Sequence, residues 1–145
     1  MPPTEDFASA ALRHARDAAH LSVPGIDASL DQAWHLAGFA HECARKACVR
    51  DGWVPKLLGH DFAGSTEQVI ELAVALDPRA SRFPISDWLR RYPSVATWTP
   101  EHRYDRTGES LTRDVEALVR SARDAVDDAI IALFLDGELA PESLR

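Results

Sequence analysis

The sequence predicts an all-α fold, an up-and-down bundle of four main helices with one or two short helices added. Three observations predict it. Four stretches carry apolar residues at the three- and four-residue spacing of a helix face, and no stretch shows the strict alternation of a half-buried strand. The first two of these stretches are joined by only a few residues, which makes them antiparallel neighbours. The 145 residues, 46% hydrophobic, suit a single domain over 1–145 with a core of its own.

The first helix is expected from about Thr4 to Ser22. Ala8, Ala11, Leu12, Ala15, Ala18 and Ala19 recur on one side and Arg13, Arg16, Asp17 and His20 on the other, and Val23-Pro24-Gly25 ends it. The second, from about Ala28 to Arg50, is expected to be central. Leu30, Ala33, Leu36, Ala37, Ala40, Cys43, Ala44 and Ala47 make one wide apolar face, with Trp34 and Phe39 at its margins. Asp31, His35, Gly38, Glu42 and Lys46 stack in a stripe opposite. Glycine inside a helix costs roughly 1 kcal/mol against alanine, so a neighbour is expected to approach closely at Gly38.

An irregular segment is expected after Asp51-Gly52, packing through Trp53, Leu57, Leu58 and Phe62. Ser65 and Gln68 form a capping box for a third helix, Thr66 to about Leu76, burying Val69, Ile70, Leu72, Ala73 and Leu76. Asp77-Pro78 closes it. A stretch at about 77–106 follows, rich in arginine, aromatics and proline, with one short helix near Ser86 to Arg91 and otherwise ordered loop. The last long helix is expected from about Glu109 to Leu135, its stripe made by Leu111, Val115, Leu118, Ala122, Ala125, Val126, Ala129 and Leu133.

The formal charge of −7 argues against indiscriminate nucleic-acid binding, which rests on neutralising many phosphates. Its distribution is uneven. Between Arg79 and Arg106 lie six arginines and no lysine, interleaved with Phe83, Trp88, Tyr92, Trp98 and Tyr104. Arginines and aromatics suit phosphate forks and base stacking, which makes Arg90, Arg91 and Arg106 candidate nucleic-acid contacts. The alternative is that the aromatics pack this segment onto the bundle while the arginines solvate it. Cys43 and Cys48 match no zinc or redox spacing and read as small core residues. With neither a run of eighteen apolar residues nor a basic-then-apolar leader, membrane insertion and secretion are not indicated, and a cytoplasmic protein is expected.

Several of these residues carry a resemblance. Ala33, Leu36, Gly38, Phe39, Ala40, Glu42, Lys46 and Ala47 on the central helix, then Gly59-His60, then Arg103-Tyr104, resemble in order and spacing the bacterial HEPN-domain (higher eukaryotes and prokaryotes nucleotide-binding) family. The resemblance spans Ala10 to about Ala129. It implies a helical domain that often forms a homodimer and is often encoded in toxin–antitoxin or phage-defence systems, with an antitoxin or nucleotidyltransferase as partner. Many members are metal-independent endoribonucleases without cofactors, acting through an R-x4-6-H motif near the start of the last long helix. The sequence departs from that pattern, because no histidine follows His102. Arg13 and His20 fit the spacing literally, but on the first helix.

Metal-independent RNA cleavage needs a base for the ribose 2′-hydroxyl proton, an acid for the leaving oxygen and a cation for the developing charge. The best constellation is His60 as acid or base, Arg103 as phosphate clamp, Tyr104 as donor or stacking surface, and Glu42 with Lys46 as an orienting pair. The same Glu42, Lys46, His60 and Arg103 can instead form an internal network that ties irregular segments to the bundle. Asp17 with His20 and Asp31 with His35 put carboxylate and imidazole on common helix faces, yet the chain lacks the repeated Glu-x-x-His pattern of di-iron bundles. No metal site is expected. Two functions remain, an RNA- or nucleotide-directed protein and a catalytically silent module that dimerises and binds a partner.

Overall fold

Three helices, α1 (Phe7–Ser22), α2 (Leu30–Ala47) and α6 (Val115–Leu135), pack on one another and form the core. The computed structural model describes residues 6–49, 53–62 and 65–139. Between α2 and α6 run two short helices, α3 (Trp53–Leu58) and α5 (Trp88–Arg91), and a fourth main helix, α4 (Ser65–Leu76). Four 3-10 turns complete the described chain, at Pro78–Arg82, Pro93–Thr97, Pro100–Tyr104 and Glu109–Thr112. The fold is all-helical among the described residues. None of their helices is long and apolar enough to cross a membrane.

The three core helices start on side-chain caps. Asp6 accepts from the Ser9 amide at 2.9 Å, Ser29 from Gln32 at 3.3 Å and Asp114 from Ala117 at 3.0 Å, each satisfying a donor that the first turn leaves open. The expected start of α1 at Thr4 and end of α2 at Arg50 lie outside the described residues. Alanine lines the seams. Ala11 and Ala18 on α1, Ala33, Ala37, Ala40 and Ala44 on α2, and Ala122, Ala125 and Ala129 on α6 are all buried, so the helix axes approach closely with little side chain between them.

Four expectations need correction. The segment after Gly52 is helical rather than irregular, because Pro55 sits in the first turn of α3, where its missing N–H costs no bond. Within it Val54, Leu58 and Phe62 are buried, while Trp53 and Leu57 are exposed. In α4, Ser65 is the first helical residue, and Ile70 and Ala73 are buried but Leu72 and Leu76 are not. The cause is position, since α4 packs mainly on α3 and the Pro78–Arg82 turn and turns one face outward.

The fourth concerns the start of α6. It begins at Val115, and Glu109–Thr112 is a separate turn on which Leu111 is 75% exposed. Asp31 at the start of α2 accepts from the amides of Gly108 at 2.9 Å and Ser110 at 3.1 Å, which draws this turn onto α2. Arg113 is then extended, and the helix restarts on the Asp114 cap.

The arginine–aromatic segment wraps α2. Three of its turns open on Pro78, Pro93 and Pro100, each at the first helical positions, where proline's fixed φ favours the turn. Phe83, Trp88, Tyr92 and Trp98 are buried and hold the segment down, whereas Tyr104 is 76% exposed. Trp98 lies on Gly38. A Cβ built at Gly38 would stand 1.9 Å from the Trp98 ring, so only glycine admits the indole there. The expected close approach at Gly38 is this contact, and the polar stripe of α2 is covered rather than solvated.

Two buried polar groups also fasten the segment. Arg45 donates from Nε to the Ile85 carbonyl at 3.1 Å and forms an ion pair with Glu67, whose other oxygen accepts from the Asp87 amide at 3.0 Å. His41 is fully buried between Trp88 and Ser121. The Trp88 indole N–H can only donate, so Nδ1 accepts at 3.2 Å, and Nε2 therefore carries the proton and donates to the Ser121 hydroxyl at 3.1 Å.

Candidate functional site

The chemistry gathers along one line of α2. His35, Phe39, Glu42 and Lys46 follow at helical spacing, and the chain on either side of this line brings further titratable groups to it. Lys46 Nζ donates to Glu42 Oε1 at 2.8 Å, and Glu42 Oε2 lies 2.8 Å from His60 Nδ1. Glu42 and Lys46 are buried, while the His60 side chain is 54% exposed. A carboxylate accepts only, so Nδ1 of His60 carries a proton and donates, and Nε2 is the nitrogen left to meet a ligand.

The geometry has a local cause. Gly59 follows the end of α3 with φ of 55°, the left-handed conformation that ends helices and reverses the chain, and the next residue then returns towards α2. Glycine enters this conformation without the strain a side chain would bring. That is the physical content of the Gly59-His60 pair.

Phe39 is the hub. Its ring centroid lies 4.7 Å from His35, 5.1 Å from Trp98, 5.9 Å from His60 and 6.2 Å from His14 of α1. His35 and His60 both meet it nearly at right angles, the edge-to-face arrangement that aromatic quadrupoles favour. Burial, followed by the charge of Arg13, lowers the pKa of His14. Burial, followed by Arg103, His14 and His102, lowers that of His35.

Arg103 and Tyr104 sit on the Pro100–Tyr104 turn, the guanidinium 4.8 Å from the Tyr104 ring centroid. Among the described residues Arg103 forms no ion pair with a carboxylate. No hydrogen bond joins it to His60. Each separately helps hold Glu101 below the usual carboxylate range, after the hydrogen bonds from Thr99 and the Glu101 amide. The turn is fixed by His102, whose Nδ1 accepts from the Trp34 indole at 2.8 Å.

The predicted site residues thus divide into three groups. Glu42, Lys46 and His60 are in direct contact, and Arg103 with Tyr104 forms a second pair that reaches the same region through charge. Arg90, Arg91 and Arg106 do not join them. Arg91 donates to the Ser86 carbonyl at 3.1 Å and lines a cleft with Asp128 and Ile131 of α6, and Arg90 and Arg106 are exposed on α5 and beyond the Pro100–Tyr104 turn. His20, the partner of Arg13 in the literal motif, lies near Asp27 at 3.8 Å instead.

Sequence reasoning left His14 and His35 out of the site. Their signal was present in part. His35 shares the α2 line with Phe39, Glu42 and Lys46, but only the antiparallel packing of α1 brings His14 to Phe39. Cys43 and Cys48 are buried, and burial raises their thiols to about 11 and about 12, which keeps them protonated and inert. Among the described residues no three His, Cys, Asp or Glu side chains converge as metal ligands would. No family model, curated protein or solved structure matches the chain.

Proposed function

We propose that the chain is a HEPN-type protein acting on RNA, and that the face around Phe39 cleaves the phosphodiester without a metal. The observation that carries this reading is the Glu42–His60 hydrogen bond of 2.8 Å. A buried carboxylate held by Lys46 orients a half-exposed imidazole and stabilises the imidazolium that forms when it takes a proton, while leaving Nε2 open to substrate. Arg103 supplies the cation for the non-bridging phosphate oxygens, and the exposed Tyr104 ring offers a stacking surface for a base. A homodimer in the cytoplasm, within a toxin–antitoxin or phage-defence system and regulated by an antitoxin or a nucleotidyltransferase, belongs to the same proposal.

A second reading has its own support. Leu72 and Leu76 of α4, and Ile131, Phe134 and Leu135 of α6, are exposed at helical spacing, as a partner-binding face would have them. On that reading the Lys46–Glu42–His60 network only fastens the chain after α3, and the protein is a silent dimerisation or partner-binding module.

Cleavage of mixed tRNA and mRNA in EDTA separates the two. Wild type is expected to yield 5′-hydroxyl ends, with His60→Ala and Glu42→Gln reduced on the order of 10²–10⁴-fold while circular dichroism and melting show them folded. Wild type without activity above a buffer blank would discard the nuclease reading in favour of the silent module.

A further inference from the structure

Of the six histidines, His35 has surroundings unlike the rest. The ring nitrogens of His41 are committed to Trp88 and Ser121, His102 accepts from Trp34, His60 is held by Glu42, His20 lies near a carboxylate at the exposed end of α1, and His14 has the carboxylates of Asp17 and Glu42 acting on it. His35 stands edge-on to Phe39 at 4.7 Å, with a buried Nδ1 that has no hydrogen-bond partner. The charged groups that act on it are His14 from α1 and His102 and Arg103 from the Pro100–Tyr104 turn. All are cationic or able to become so, and none is a carboxylate.

These surroundings suit one state. Burial and the neighbouring guanidinium both disfavour a second positive charge, so the imidazole is neutral through the physiological range and able to accept a proton. Arg103, whose charge acts on His35, forms no ion pair with a described carboxylate and carries the fork geometry that suits a phosphate. His60 donates from Nδ1 to the Glu42 carboxylate behind it at 2.8 Å, which leaves Nε2 facing away from that bond. Both imidazoles meet the one Phe39 ring edge-to-face, His35 at 4.7 Å and His60 at 5.9 Å between centroids.

We infer that His35 is the second proton-transfer residue of this face, taking the ribose 2′-hydroxyl proton while His60 gives one to the departing 5′-oxygen. The assignment rests on the RNA-cleaving reading and deepens it. The 2′-oxygen forms a bond to phosphorus as its proton passes to Nε2 of His35, the ring nitrogen that is not buried, and the bond from phosphorus to the 5′-oxygen breaks as that oxygen takes the proton of His60. The products are a 2′,3′-cyclic phosphate and a 5′-hydroxyl. No water, metal or oxidant is consumed, and exchange with solvent returns His35 to the neutral form and His60 to the protonated one.

The test compares two substrates across pH in EDTA, a short single-stranded RNA and a uridine 3′-(4-nitrophenyl phosphate), whose leaving group needs no acid. Wild type is expected to give a bell-shaped rate profile on RNA with its acidic limb below pH 6.5, since the base must be unprotonated and its pKa is lowered. His35→Gln is expected to lose that limb and to fall on the order of 10²–10⁴-fold on both substrates. His60→Gln is expected to fall similarly on RNA yet keep most of its rate on the nitrophenyl ester. If folded His35→Gln keeps the acidic limb, or falls less than about threefold on the ester where general-base loss predicts at least ~10²-fold, the assignment of His35 is overturned and the nuclease reading stands. If wild type cleaves neither substrate, the nuclease reading fails and this inference falls with it.

Discussion

A single absent methyl group decides where the arginine–aromatic segment lies. Trp98 occupies the space in which any side chain at Gly38 would begin, and the ring is buried, so it has no free volume to retreat into. Alanine would gain roughly 1 kcal/mol in helix propensity, against overpacking of about 1–3 kcal/mol that is larger where a rigid ring must move. Gly38→Ala should therefore lower the urea midpoint, and a variant at least as stable as wild type would show that Trp98 does not rest there. His41 makes a pH-dependent counterpart. Burial lowers its pKa to about 3, whereas in the unfolded chain it titrates near its ordinary 6.5. Between those values the unfolded state binds the extra proton, so stability falls as pH drops from 6.5 towards 3, by up to about 1.4 kcal/mol per unit, and is untouched by this group above 6.5. Denaturant midpoints across that window should show the slope, and His41→Gln should flatten it even if the variant is less stable throughout.

At the scale of elements, periodicity was legible and long-range capture was not. α1, α2 and most of α6 follow from apolar spacing, because each buries one face against parallel or antiparallel neighbours and that burial is what the spacing encodes. Leu111 continues the α6 stripe in sequence yet is solvent-exposed, since Asp31, 77 residues before Gly108, removes its turn from the helix. No local pattern announces such a bond. The same is true of α4, whose Leu72 and Leu76 have the spacing of a core face but lie where no core helix passes. The Asp31 capture is testable. Its carboxyl lies below the usual range, first through the Gly108 amide, so its contribution is present above pH 3.8 and is lost as pH falls through the lower folded value. Asp31→Ala should cost about 1–3 kcal/mol by orphaning two amides. It should also speed hydrogen exchange at Gly108 and Ser110 relative to the α6 amides, and unchanged exchange there would mean the turn is held by something else.

For the whole molecule, the site was readable where its residues share a helix and unreadable where the fold folds back on itself. Glu42, Lys46 and the Gly59-His60 pair came from spacing and resemblance, while Arg90, Arg91 and Arg106 were grouped with Arg103 only because they are near it in sequence. In three dimensions Arg91 lines a cleft with Asp128 and Ile131 of α6, and the molecule as a whole is acidic. On the proposed reading RNA contact is therefore local, resting on the few cations whose charge reaches the histidines beside Phe39, Arg13 and Arg103. Single-stranded binding weakens with salt at a slope of about −0.7 for each phosphate neutralised. With two or three phosphates engaged, the logarithm of affinity should fall with that of salt at roughly −1.4 to −2.1. Arg103→Ala should reduce the slope by about 0.7, and Arg90→Ala and Arg91→Ala should leave it unchanged. Fluorescence anisotropy with a labelled oligoribonucleotide, using His60→Ala to prevent cleavage, measures all three. A slope that weakens on loss of Arg91 but not of Arg103 would move the proposed contact surface to α5 and the α6 cleft.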